Sequence, residues 1–173
     1  SADLPLPKKV FGHGFLLNRG EKMSKSTGNV VDPIELVERV GLDPLRYYLL
    51  RDVSFGQDGT FSDEAIATRA NADLSNSFGN LAQRTLSFIA KNLDGAMPDA
   101  GRGEAADQAL LDSVMTSIAD YRREFADLAL SQALDSWMRG VFACNQYIDA
   151  QAPWALRKTD PERMHAVLGT LIR

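Results

Sequence analysis

At 173 residues, with 45% hydrophobic and 24% charged side chains, the chain has a globular composition and room for one ordinary domain, or one domain and part of another. No apolar run approaches the roughly 18 residues that a membrane helix needs, and no signal-peptide pattern opens the chain. Cys144 is the only cysteine, so there is no internal disulfide and no cysteine–histidine zinc cluster; a reducing cytoplasm is the expected compartment. The net charge of −4 excludes a binder that is basic over its whole surface, but not a local basic site.

Ser1 to Pro7, with two prolines, reads as an extended lead-in. The apolar run Val10 to Leu17, punctuated by Gly12 and Gly14, predicts a strand that enters a tight turn at Asn18-Arg19-Gly20. No partner strand is expected for it within the chain. His13, beside glycines, reads as structural. The next stretch is Gly20-Glu21-Lys22-Met23-Ser24-Lys25-Ser26-Thr27-Gly28-Asn29. Two ammonium groups among hydroxyls suit phosphate oxygens, and a glycine near each end lets the backbone hinge. Residues 1–31 hold Lys8, Lys9, Arg19, Lys22 and Lys25 against Asp3 and Glu21, so positive potential gathers at the loop. It is not a Walker A loop, which needs a glycine directly before its lysine.

Asp32-Pro33-Ile34-Glu35 predicts a capped helix ended by Gly41, and Asp43-Pro44 predicts the start of a second. A glycine-rich loop, Phe55 to Thr60, ends this connector. From Ser62 onward the pattern is helical. One long helix is expected to Leu93, with Ile66, Leu74, Phe78, Leu81, Leu86 and Ile89 on its apolar face. After a loop over residues 95–103, a second helix shows Leu111, Val114, Met115, Ile118 and Phe125. A third, from Leu128 to Ala150, shows Leu130, Leu134, Trp137, Met138, Val141 and Ile148. Pro153 breaks that helix, and Asp160-Pro161 starts a fourth, whose apolar pattern still runs when the chain stops at Arg173. The expected fold is mainly α: a short strand and turn carrying the loop, a connector, and a helical bundle. The unpartnered strand and the unfinished last helix are expectations of a piece of a larger protein.

The string Lys22-Met23-Ser24-Lys25-Ser26 resembles the KMSKS signature of class I aminoacyl-tRNA synthetases. With Asp43-Pro44-Leu45-Arg46-Tyr47-Tyr48, Asn71-Ala72-Asp73-Leu74, Gly79-Asn80-Leu81-Ala82-Gln83-Arg84 and Gln151-Ala152-Pro153-Trp154, the whole chain resembles the C-terminal half of bacterial methionyl-tRNA synthetases. The resemblance implies that residues 1–31 end a Rossmann catalytic domain, that 32–61 form a stem-contact connector, and that 62–173 form a helical anticodon-binding domain truncated at its C-terminus. It implies ATP (with Mg2+) and methionine as substrates, tRNA(Met) as partner, no metal site in this stretch, no membrane and a cytoplasmic location. By the same resemblance Lys25 and Lys22 are catalytic, Lys22, Met23, Ser24, Lys25 and Ser26 meet ATP, and Asn80, Arg84, Pro153 and Trp154 bind the anticodon. The HIGH-type motif and the methionine pocket of such enzymes are absent, so the chain alone is expected to be inactive.

The residues themselves allow the anticodon grouping. Asn80 and Arg84 are four apart on one helix face, about 6 Å along the axis. Trp154, after a helix-breaking proline, is expected to present its ring from a loop for stacking on an unpaired base. The grouping is expected to need the third helix to run antiparallel to the long one. The competing readings are a class I synthetase for isoleucine, valine, leucine or cysteine, and a non-catalytic helical RNA-binding module.

Overall fold

The computed structural model describes residues 4–54, 56–98, 100–101 and 103–173. Ser1 to Asp3 of the expected lead-in, Phe55 of the glycine-rich loop, and Asp99 and Arg102 of the 95–103 loop lie outside the described residues.

The N-terminal part is a three-stranded sheet with two helices. Strands β1 (Leu16–Asn18) and β2 (Glu21–Lys22) form an antiparallel hairpin. Its two turn residues, Arg19 and Gly20, have φ of 51° and 84°, the left-handed pair that matches the twist of a tight hairpin. The expected strand thus shrinks to its last residues, and Val10 and Phe15 stay exposed. Contrary to expectation, β1 does have a partner: β3 (Gly59–Phe61) pairs parallel to it, Leu17 against Thr60, in the order β2-β1-β3. Three residues that begin with glycine carry no periodic signal. Gly59 is needed there because a Cβ would come within 2.6 Å of Val53 Cγ1.

Helix α1 (Pro33–Val40) starts as expected: Asp32 Oδ1 accepts from the amide of Ile34 at 2.7 Å. Helix α2 (Leu42–Arg51) begins one residue before Asp43, so Gly41, with φ 88°, precedes it and Asp43 is not the cap. Both helices close over Leu36, Leu45, Tyr48, Phe61 and Ile66, which form a core with Leu16, Met23 and Val31 packed against it.

Ser62 caps the long helix, but that helix is not uniform. It runs as α3 (Asp63–Arg69), a π-helical stretch Ala70–Gly79, and α4 (Asn80–Asn92). A π-helix closes its hydrogen bonds one residue later than an α-helix and turns more slowly. An apolar face laid out at 3.6 therefore drifts: Ile66 and Ile89 are buried, while Phe78 and Leu86 stand 46% and 59% exposed. The same stretch carries buried Asp73, which accepts from the Tyr47 hydroxyl at 2.8 Å and has Arg51 and Arg69 at 3.7 and 3.6 Å. Arg51 reaches on to Asp135 at 2.5 Å and Arg69 to Asp52 at 2.8 Å. This network locks the connector to the bundle.

Helices α5 (Ala105–Ala126) and α6 (Leu130–Gln151) pack antiparallel. They touch through Ser117 and Gly140, where a Cβ on the glycine would lie 3.4 Å from Ser117 Cβ. That close seam shifts the buried face of α5 to Asp107, Leu110 and Ser117 and leaves Met115 and Phe125 exposed. Helices α7 (Pro153–Thr159) and α8 (Pro161–Leu171) complete the bundle. Of these, α7 was not expected. No helix among the described residues is long and apolar enough to cross a membrane.

Candidate functional sites: a lysine loop and an arginine–tryptophan platform

The hairpin sends the chain out at Lys22 and α1 receives it at Asp32, so residues 23–31 arch between two fixed points. Met23 is half-buried on the core beneath the loop and anchors it. Asn29 organises the arch: its Oδ1 accepts from the Ser24 amide at 2.8 Å and the Thr27 hydroxyl at 2.7 Å, and its Nδ2 donates to the Lys22 carbonyl at 3.2 Å. Asn18 Nδ2 in turn donates to the Asn29 carbonyl at 2.9 Å. Ser24 and Ser26 hydroxyls share a hydrogen bond at 2.6 Å, and Gly28 turns the chain with φ 66°. Sequence reasoning gave Asn29 no role, and nothing in the pattern singles it out from other loop asparagines.

The two lysines differ in freedom. Lys22 Nζ lies 4.4 Å from the Phe15 ring centroid, a cation–π contact that rests it on the hairpin. Lys25 is exposed and meets no partner among the described residues. A compact ammonium on an exposed arch is suited to meeting phosphate oxygens, with hydroxyls of Ser24 and Ser26 beside it. Among the described residues no group of three histidine, cysteine, aspartate or glutamate side chains is placed to hold a metal ion.

The second site lies on the bundle. Trp154 and Arg84, seventy residues apart in sequence, come together: the Arg84 guanidinium carbon sits 5.3 Å from the Trp154 ring centroid. Arg84 Nη2 also donates to Asp149 Oδ1 at 2.5 Å. The cation is therefore both a surface ion pair and half of a stacked platform. Trp154 remains 46% exposed, leaving ring surface for a further flat partner. Asn80 is exposed on the same helix, one turn before Arg84.

Three expectations about this site change. Trp154 is not in a loop but in the first turn of α7, because Pro153 both ends α6 and starts the next helix. Pro153, expected among the contact residues, is fully buried; it shapes the corner and does not face solvent. The approach of α6 to the long helix runs in the parallel sense at this end, with Ser77 meeting Asn145 and Arg84 meeting Asp149 in the same order along both. Asp149 was missed by sequence reasoning, since a lone acidic residue near a helix end is common.

The family model for class I tRNA synthetases (M) matches residues 1–86, and that for the anticodon binding domain of methionyl tRNA ligase matches residues 97–172. The methionine–tRNA ligase of Brucella suis is 59% identical over 97% of this chain and 33% of its own length. That of Rhizobium meliloti is 55% identical with the same coverage. A Mycobacterium tuberculosis methionyl-tRNA synthetase, solved in complex with methionyl-adenylate, superposes with a TM-score of 0.90 at 48% identity, covering 97% of this chain and 34% of that one. The chain thus spans about a third of the length of the curated relatives it matches. With both family models and these relatives in agreement over nearly every residue, the chain belongs to the methionyl-tRNA synthetase family.

Proposed function

We propose that this chain supplies two working parts of a methionine-activating synthetase: the loop that closes on ATP phosphates and the platform that reads a CAU anticodon. The reaction would join methionine to ATP, giving methionyl-adenylate and pyrophosphate, and then move the methionyl group to the terminal adenosine of tRNA(Met). Negative charge grows on the departing pyrophosphate as the carboxylate attacks the α-phosphate. Lys25, delivered by the arch, stabilises that charge in the transition state, with Lys22 supporting it and the Ser24 and Ser26 hydroxyls orienting the phosphates. Met23 contributes by anchoring the loop. Mg2+ enters with ATP as part of the substrate. The setting is the cytoplasm, and activity belongs to the longer protein, since this chain spans about a third of its relatives' length and carries no HIGH-type string.

On the bundle, Trp154 stacks on an unpaired anticodon base, and Arg84 and Asn80 hold base edges or phosphates alongside. The working division is a catalytic edge at 1–31, a connector at 32–61 and an RNA-reading bundle at 62–173. The observation that carries this reading is the Arg84–Trp154 contact, which assembles a stacking ring and a planar donor from distant segments. The test is binding of an RNA hairpin bearing a CAU loop triplet to the 173-residue chain. Binding should weaken by about tenfold or more when the triplet is changed, the size of one lost base interaction. Equal affinity for both hairpins would remove the anticodon reading.

A further inference from the structure

Ala152, the single residue between α6 and α7, has φ 43° and ψ 62°. A residue with a Cβ adopts this left-handed conformation only where its surroundings impose it. Trp154 follows two residues later, so the corner at Ala152 aims the ring. What imposes the corner comes from behind it. Gln151, the last residue of α6, accepts through Oε1 from Arg163 Nη2 at 2.7 Å. Arg163, with only 10% of its side chain exposed, forks on Asp107: Nη1 donates to Oδ2 at 2.5 Å and Nη2 to Oδ1 at 2.7 Å. Asp107, at 2% exposure, also accepts from the Tyr147 hydroxyl at 2.5 Å. Tyr147 and Gln151 are four apart on α6 and share a face. One buried ion pair, made between α5 and α8, therefore grips both ends of the last turn of α6. Fully buried Pro153 holds the chain on the other side of Ala152.

We propose that Arg163 and Gln151 are positioning residues for RNA recognition: the buried Asp107–Arg163 pair fixes the end of α6 through Gln151, and so fixes the corner that sets Trp154 beside Arg84. This rests on the anticodon reading above. The pair would also serve plain stability, and removing one member of a buried ion pair strands the other. Arg163 variants alone therefore do not separate aiming from folding. Gln151 does, because it can be changed with the pair left whole.

The experiment compares Gln151→Met, Gln151→Glu and Trp154→Ala in the 173-residue chain. The readouts are the dissociation constant for the CAU hairpin and the thermal midpoint. Gln151→Met keeps the length of the side chain and loses the acceptor, whereas Gln151→Glu keeps an acceptor facing Arg163. The inference expects Gln151→Met to weaken hairpin binding at least about fivefold, toward the level of Trp154→Ala, with a melting midpoint within a few degrees of wild type. Gln151→Glu should stay within about twofold of wild type, since the charge-assisted bond survives. Gln151→Met binding like wild type while Trp154→Ala binds weakly would overturn the inference and leave the anticodon reading standing. Gln151→Glu binding as poorly as Gln151→Met would also overturn it. Trp154→Ala binding like wild type would remove both.

Discussion

Replacing Asn29 by alanine should free the lysine loop without unfolding the chain. Three hydrogen bonds leave with that side chain: from the Ser24 amide at 2.8 Å, from the Thr27 hydroxyl at 2.7 Å, and to the Lys22 carbonyl at 3.2 Å. The bond from the Asn18 side chain to the Asn29 backbone carbonyl survives, as does the packing of Met23 on the core. A net hydrogen bond contributes about 0.5–1.5 kcal/mol, and the half-exposed setting puts the sum near the low end, about 1–2 kcal/mol. Protection of the Ser24 amide, whose acceptor is the Asn29 side chain, should fall by roughly tenfold, and amide hydrogen exchange reads that loss directly. Asn29→Asp keeps both acceptor contacts and loses only the bond to Lys22, so its Ser24 amide should exchange no more than about threefold faster. The core amides of α1 and α2 should not change in either variant. If the Ser24 amide of Asn29→Ala exchanged at the wild-type rate, the arch would be held by something other than Asn29.

Two further outcomes follow from the bundle. The Asp107 carboxyl, held by the Arg163 guanidinium, sits at about 2 against an ordinary 3.8; a depressed carboxylate stabilises the fold above its unfolded pKa and loses that contribution as pH falls through its folded one. Denaturant unfolding should therefore show a loss of about 2 kcal/mol from this group between pH 5 and pH 2, and a flat profile over that window would contradict the buried pair. In a full-length synthetase carrying this chain, Trp154→Ala should raise the KM for tRNA about ten- to a hundredfold by loss of base stacking. Methionine-dependent pyrophosphate exchange without tRNA should stay unchanged, and parallel loss of both activities would make Trp154 a packing residue.

What could be read from the chain before its fold was local chemistry with a strong code. Asp32-Pro33 fixes a helix start by capping and by proline geometry, and it did so here. The lysine string marks its loop through its resemblance to a family signature, since ammonium groups among hydroxyls and glycines alone would also suit a solvated basic turn. The parts that could not be read depend on distant partners. Gly59-Thr60-Phe61 becomes a strand only because β1 lies beside it. The π-helical stretch rests on hydrogen-bond register, which composition does not reveal, and it rotates Phe78 and Leu86 outward. Arg84 and Trp154 group only through the family resemblance, since by residue type alone the one suits a surface ion pair and the other a packing role. Their meeting, with Asp149 as the third member, comes from the parallel approach of α6 to α4 and from the corner at Ala152. Asp107 and Arg163 carry no signal in the sequence, because burial of an ion pair leaves no mark on either residue's neighbours.

The central claim is that one end of this chain serves ATP chemistry and the other serves RNA recognition, and Lys25 tests it most directly. Pyrophosphate exchange should be measured in the full-length synthetase carrying Lys25→Ala, with methionine affinity determined alongside. Loss of one electrostatic group aimed at the departing pyrophosphate should lower the exchange rate by about a hundredfold or more, with methionine affinity little changed. An exchange rate within about threefold of wild type would take Lys25 out of the transition state and contradict the account.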